Sequence, residues 1–127
     1  MNELTERPEV KELITFFYYH DMHRAAKFYR EIMGFELVVD QRFAKIFRVA
    51  NSAYMDVVDE QKGAQRAHPN KPVELTVIVS DPDAWYAYLQ AKGVQPLSKP
   101  RTLEALNLRM FLLHDPEGYL IEIQKFL

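Results

Sequence analysis

The chain has 127 residues, 48% hydrophobic and 27% charged, which suits one globular domain with a sizeable core. A formal net charge of −2 argues against nucleic-acid and anionic-membrane partners, and the absence of cysteine excludes disulfides, thiolate catalysis and thiolate metal sites. The polar start MNELTERPEV lacks the apolar core of a secretion signal, and no apolar run is long enough to span a bilayer. A soluble cytoplasmic protein is therefore the expectation.

Taken in chain order, Leu13–Tyr19 is aromatic and β-prone, and predicts a buried strand. Asp21 can cap the helix that follows, in which Met22, Ala25, Ala26, Tyr29, Ile32 and Met33 recur at helical spacing. Gly34 is placed to end that helix in a left-handed conformation. Three short strands are predicted at 35–39, 43–49 and 53–58, and the polar stretch 61–71 reads as a linker. The same order then returns. A β-branched strand spans 73–79, and Asp81-Pro82 caps and opens a helix with Ala84, Trp85, Tyr88 and Leu89 on its apolar stripe. Gly93 stops it, and strands are predicted near 94–97, 108–113 and 119–126, with the segment 98–106 as a loop.

The halves overlay. Asp21 matches Asp81, Gly34 matches Gly93, Phe47 matches Phe111, and Tyr54-Met55-Asp56-Val57 matches Leu120-Ile121-Glu122-Ile123. Cap, stop and strand order agree together, which points to an internal duplication. The predicted fold class is α+β, with two βαβββ modules: module one at about 10–60 and module two at about 72–127, both inside one domain over 1–127.

Strand alternation places Ile14, Phe16, Tyr18 and His20 on one face of the first strand, and Thr15, Phe17 and Tyr19 on the face that meets the helix. The first set makes an aromatic, mostly apolar lining suited to an organic ligand. Glu74, Thr76, Ile78 and Ser80 form the corresponding face in the second half. Lys45 and Arg109 occupy matching positions; pointing inward they would hold an anionic substrate group, and pointing outward they are solvated. His20, His23, His68 and His114 match no common metal spacing, and there is no nucleophile motif or glycine-rich phosphate loop.

A duplicated βαβββ chain of this length resembles the vicinal oxygen chelate superfamily, which includes glyoxalases, bleomycin-resistance proteins and extradiol dioxygenases. Two motifs carry the likeness: Asp21-x6-Phe28-Tyr29-x4-Gly34-Phe35, and Asp115-Pro116-Glu117-Gly118-Tyr119-x2-Glu122. The resemblance implies a cup-shaped, partly open β-barrel enclosing a small-molecule cavity, and a homodimer. It also implies four ligand positions on the first and last strand of each module, here Ile14, Asp56, Glu74 and Glu122. Three are carboxylates, a hard oxygen set that favours Mg²⁺ or Mn²⁺ over Zn²⁺, so the cofactor expectation is none or one divalent ion among Mg²⁺, Mn²⁺, Fe²⁺, Ni²⁺ and Zn²⁺. Isoleucine cannot coordinate a cation, so Ile14 leaves the implied set incomplete.

Three readings follow. The first is a small-molecule binding protein without a complete metal site, in which Ile14, Phe16, Tyr18, Thr76 and Arg109 touch the ligand. The second is a lyase, isomerase or dioxygenase using one divalent metal held by Asp56, Glu74 and Glu122. The third is a metal-free enzyme that uses one of those carboxylates as a base, with Glu122 as the catalytic candidate.

Overall fold

A computed structural model describes residues 6–127. Strand β1 (Leu13–Tyr19) leads into helix α1 (Met22–Lys27), and then come β2 (Glu36–Asp40), β3 (Ala44–Ala50) and β4 (Ala53–Asp59). The second round is β5 (Glu74–Ile78), α2 (Pro82–Ala91), β6 (Arg101–Leu103), β7 (Leu108–His114) and β8 (Leu120–Phe126). Each round makes its own four-stranded sheet, in the orders β1-β4-β3-β2 and β5-β8-β7-β6. The first and last strand of each sheet run parallel and the others antiparallel. No barrel closes. Among the described residues no helix is long and apolar enough to cross a membrane.

The caps form as the sequence predicts. The Asp21 carboxylate accepts the Arg24 backbone N–H at 3.1 Å, and Asp81 accepts that of Ala84 at 3.0 Å. Gly34 and Gly93 end the two helices at φ +74° and +84°, a region that residues with a Cβ adopt at a cost. The first helix is one residue longer between cap and glycine than the second, and the extra residue is taken up as a π turn over Phe28–Ile32.

Two expectations need correction. The strand predicted near 94–97 forms at Arg101–Leu103, within the segment read as a loop, which also holds the 3₁₀ turn Glu104–Leu106. Pro96 has no N–H to give a ladder, and only the Leu97 amide reaches β7, at Leu112 O. The match of Phe47 with Phe111 is also displaced. Phe47 pairs with Met55, but Phe111 pairs with Ile123, and it is Leu113 that pairs with Ile121, the counterpart of Met55. Lys45 is therefore the counterpart of Phe111. A slip of two residues keeps every side chain on its face, so the alternation pattern hides it.

The core lies between sheets and helices. Phe17, Tyr19, Phe47, Met55 and Val57 from the first sheet and Phe111, Leu113, Ile121 and Ile123 from the second join Met22, Ala25, Tyr29 and Leu89 from the helical segments. The turn between β7 and β8 ties the halves together. Asp115 is buried and accepts hydrogen bonds from the hydroxyls of Tyr19 (2.5 Å) and Tyr29 (2.9 Å), and from the backbone N–H groups of Glu117 (3.0 Å) and Tyr119 (2.9 Å). Glu117 accepts the N–H groups of His20 and Asp21 at 2.8 and 2.7 Å. The Arg24 guanidinium donates to Pro116 O at 2.6 Å. The Tyr119 hydroxyl accepts Tyr18 N–H and donates to Tyr18 O, both at 3.0 Å. Burial, then the neighbouring phenol and carboxylate, raises the Tyr19 hydroxyl far above the ordinary tyrosine value; burial and Asp115 do the same to Tyr29. Both phenols therefore remain donors.

Asp115→Ala strips two buried hydroxyls of their acceptor and is expected to cost about 3 kcal/mol or more in urea unfolding, since each orphaned buried donor costs about 1–3 kcal/mol. A loss under about 1 kcal/mol would contradict this joint.

Candidate functional site

Each sheet turns one face to its helix and leaves the other open. On β1 the open face carries Ile14 and Phe16, 41% and 53% exposed, while Phe17 and Tyr19 on the other face are buried. Parallel pairing sets Ile14 beside Tyr54 and Phe16 beside Asp56. Antiparallel pairing adds Ile46 next to Asp56 and Arg48 next to Tyr54. The first open face thus runs from an apolar centre to a polar lip. At that lip the Arg48 guanidinium donates to the Tyr54 hydroxyl at 2.6 Å and lies 4.9 Å from the centre of its ring. The Tyr54 hydroxyl donates to Glu12 at 2.5 Å, and Arg48 also pairs with Glu36 at 3.2 Å. A cavity of about 210 Å³ sits here, bounded by Glu12, Ile14, Val39, Ile46, Arg48 and Tyr54.

The other end of this face is covered by the connection between the halves, residues 60–73, which carry no helix or strand. Gly63 lies so close that a Cβ there would meet Val58 Cγ1 at 2.6 Å and the Tyr18 ring at 2.8 Å. Asp56 is buried on this face, 2% exposed, and one carboxylate oxygen has no hydrogen-bond partner. Burial raises its pKa above the ordinary aspartate value, partly offset by the Lys45 backbone amide.

The second open face is more acidic. Glu74 pairs with Leu120 and Thr76 with Glu122, so the Glu74 and Glu122 carboxyls are diagonal neighbours on one face. Thr76 and Ile78 stay exposed beside them. Burial and then the charge of Glu74 raise the Glu122 pKa above the ordinary glutamate value. The structure therefore brings Glu74, Thr76 and Glu122 together, and brings Ile14, Phe16, Tyr18 and Asp56 onto the other sheet. It does not gather Asp56 with the two glutamates. Among the described residues no three histidine, cysteine, aspartate or glutamate side chains cluster closely enough to hold a metal ion. The residues of one chain thus supply a pair of carboxylates and, at the matching position of the first sheet, Ile14.

Of the two placements open for Arg109, the structure shows the outward one. It shares the helix-facing side of β7 with Phe111 and Leu113, and its guanidinium grips Asp83 of α2 at 2.7 and 2.8 Å. Lys45 likewise points to the helix side, pairing with Asp40 at 2.8 Å. The polar group on the open face is instead Arg48 with Tyr54, which alternation could have found: Arg48 shares parity with Ile46, and Tyr54 with Asp56.

Two sheets of βαβββ connectivity with open faces define a class of small cavity-forming folds. The sequence model of the glyoxalase/bleomycin resistance protein/dioxygenase superfamily matches residues 13–123, and the chain belongs to that superfamily. An uncharacterized protein of Bacillus subtilis, YraH, is 25% identical over 118 residues, covering 85% of this chain and 92% of that protein. A glyoxalase/bleomycin resistance protein/dioxygenase structure from Nocardioides superposes with a TM-score of 0.77 at 20% identity, covering 99% of this chain and 89% of that one. A lactoylglutathione lyase from Agrobacterium tumefaciens gives 0.75 at 18% identity, with 93% and 95% covered. These likenesses show the fold.

The raised Glu122 pKa makes a signed prediction. Its stability contribution is full below the ordinary glutamate pKa and is lost as pH rises through the raised value. Glu122→Gln is therefore expected to unfold at higher urea than the parent at neutral pH, with the gap closing in acid. An equal gap at both pH values would remove the charge from the explanation.

Proposed function

We propose that the chain binds a small organic molecule between open sheet faces, in a cavity completed by a second copy of the chain and without a complete metal site. The exposure of Phe16 carries this reading: a phenylalanine 53% exposed at the centre of an apolar face is expected to be covered by something. Ile14 beside it and Ile78 on the other sheet, 41% and 53% exposed, extend the uncovered surface. A two-fold pair of chains would lay the first face of one copy against the second face of the other. Ile14, Phe16 and Tyr18 would then hold the apolar part of the ligand. Thr76 would sit opposite them, and Arg48 with Tyr54 would hold a polar end.

The Glu74–Glu122 pair supports a second reading. A carboxyl whose pKa is raised can stay protonated longer and act as general acid or base toward a bound substrate. The same pairing of copies would also bring Asp56 toward Glu74 and Glu122, where three oxygen ligands would suit a hard divalent cation. No catalytic step is assigned to such an ion.

Sedimentation and metal analysis test the reading together. Protein purified without chelators is expected to sediment as a dimer that Phe16→Asp splits into folded monomers, and to hold far less than one metal per chain. A parent protein that is monomeric at micromolar concentration would sink the shared cavity. Near-stoichiometric metal that disappears in Glu122→Ala would replace the metal-free reading with the metal-dependent one.

A further inference from the structure

We infer that the outer, helix-covered side of the first module carries a second binding site, for a small organic anion such as an aryl phosphate or aryl carboxylate. A cleft of about 490 Å³ opens there between the first helix and β3, more than twice the volume of the cavity on the open face. Its floor is Ala26 and Phe47, and its walls are His23, Lys27, Arg30 and Lys45. The acid on the lining is Glu31, 4.0 Å from Lys27. Lys45 is shared with Asp40. Among the described residues, Arg30 has neither an ion pair nor a side-chain hydrogen bond. Three fixed cations against Glu31 and Asp40 leave an excess of positive charge over an apolar floor.

The duplication supplies an internal comparison. Strands β1 and β5 and the capping aspartates align by the same offset, so Ala26 stands where the second module has Tyr86, and His23 where it has Asp83. By hairpin register Lys45 stands where it has Phe111. In the second module the Tyr86 ring packs edge-on against Phe111 with centroids 5.4 Å apart, and Asp83 is locked to Arg109. That side is filled and neutralised by its own residues. In the first module the two aromatic rings are replaced by a methyl group and an ammonium, which empties the space and charges it.

The backbone departs at the same place. Arg30 and Glu31 belong to the π turn Phe28–Ile32, whereas α2 is regular α-helix over Pro82–Ala91. A one-residue insertion in a helix costs regular hydrogen bonding, and such turns recur at functional positions. Here it carries Arg30 and Glu31, two of the residues that wall the cleft. An anionic head fits the guanidinium and ammonium groups, and an aromatic ring fits the space that Tyr86 fills in the other half.

The test is a two-dimensional NMR titration with phenyl phosphate and, separately, inorganic phosphate. Saturable shifts confined to amides around His23, Ala26, Arg30 and Lys45 are expected. Phenyl phosphate should bind more tightly than inorganic phosphate. Arg30→Ala, an exposed substitution, should weaken phenyl phosphate about tenfold, the worth of one charge-assisted contact. Ala26→Tyr should fill the cleft and abolish binding while the rest of the spectrum is retained. Equal affinity for both compounds, shifts spread over all surface lysines, or an unchanged affinity in Arg30→Ala would each overturn the inference.

Discussion

A single buried carboxylate holds the two halves of this chain in one arrangement. Asp115 sits in the β7–β8 turn of the second half and takes its longest-range bonds from Tyr19 and Tyr29 of the first. A polar side chain taken out of water is tolerated because four donors face it. The neighbouring Glu117 completes the start of α1 by accepting two backbone N–H groups that have no helical partner. Tyr119 meets both polar groups of Tyr18 along β1. The turn is therefore both a hairpin of one sheet and a clamp on the other. The directions of both open faces, and so any cavity between chains, are inherited from this joint.

Duplication gives the halves the same connectivity and different chemistry. The corresponding β3–β4 connection is the short Asn51-Ser52 turn and holds no such clamp. On the open faces, Ile14 and Phe16 of one half answer to Glu74 and Thr76 of the other. In the proposed pairing, an aromatic wall that also holds Asp56 would stand opposite a polar, acidic one. This division follows from those two exchanges on a shared scaffold, since strand register fixes where each side chain goes and leaves its identity free.

Much of this was legible in the sequence because the signals were local. Asp21, Asp81, Gly34 and Gly93 mark helix ends through hydrogen bonding and backbone conformation within a few residues. The two faces of β1 follow from a period of two. What failed was non-local. The match of Lys45 with Arg109 was off by two residues, a displacement created by the longer β7–β8 turn, and parity with Phe111 and Leu113 was the signal that Arg109 faces the helix. The apolar residues Val94 and Leu97 resembled a strand, yet a ladder needs N–H groups, and prolines at 96 and 100 interrupt them. Asp115 was visible as a motif, but its role depends on tyrosines almost a hundred residues earlier. Asp56 and Glu122 were recognised as counterparts on different modules, while whether they converge is a matter of how the modules pack.

Gly63 carries a consequence for ligand size. The connection between the halves touches Val58 and Tyr18 at that residue and closes one end of the first open face. A ligand of the kind proposed would enter from the Arg48–Tyr54 lip and could not run through. The face is a blind alley, and its depth is set by a segment that belongs to neither sheet. Lengthening or shortening residues 61–71 would regulate which molecules are too long to fit, while every strand stayed in place.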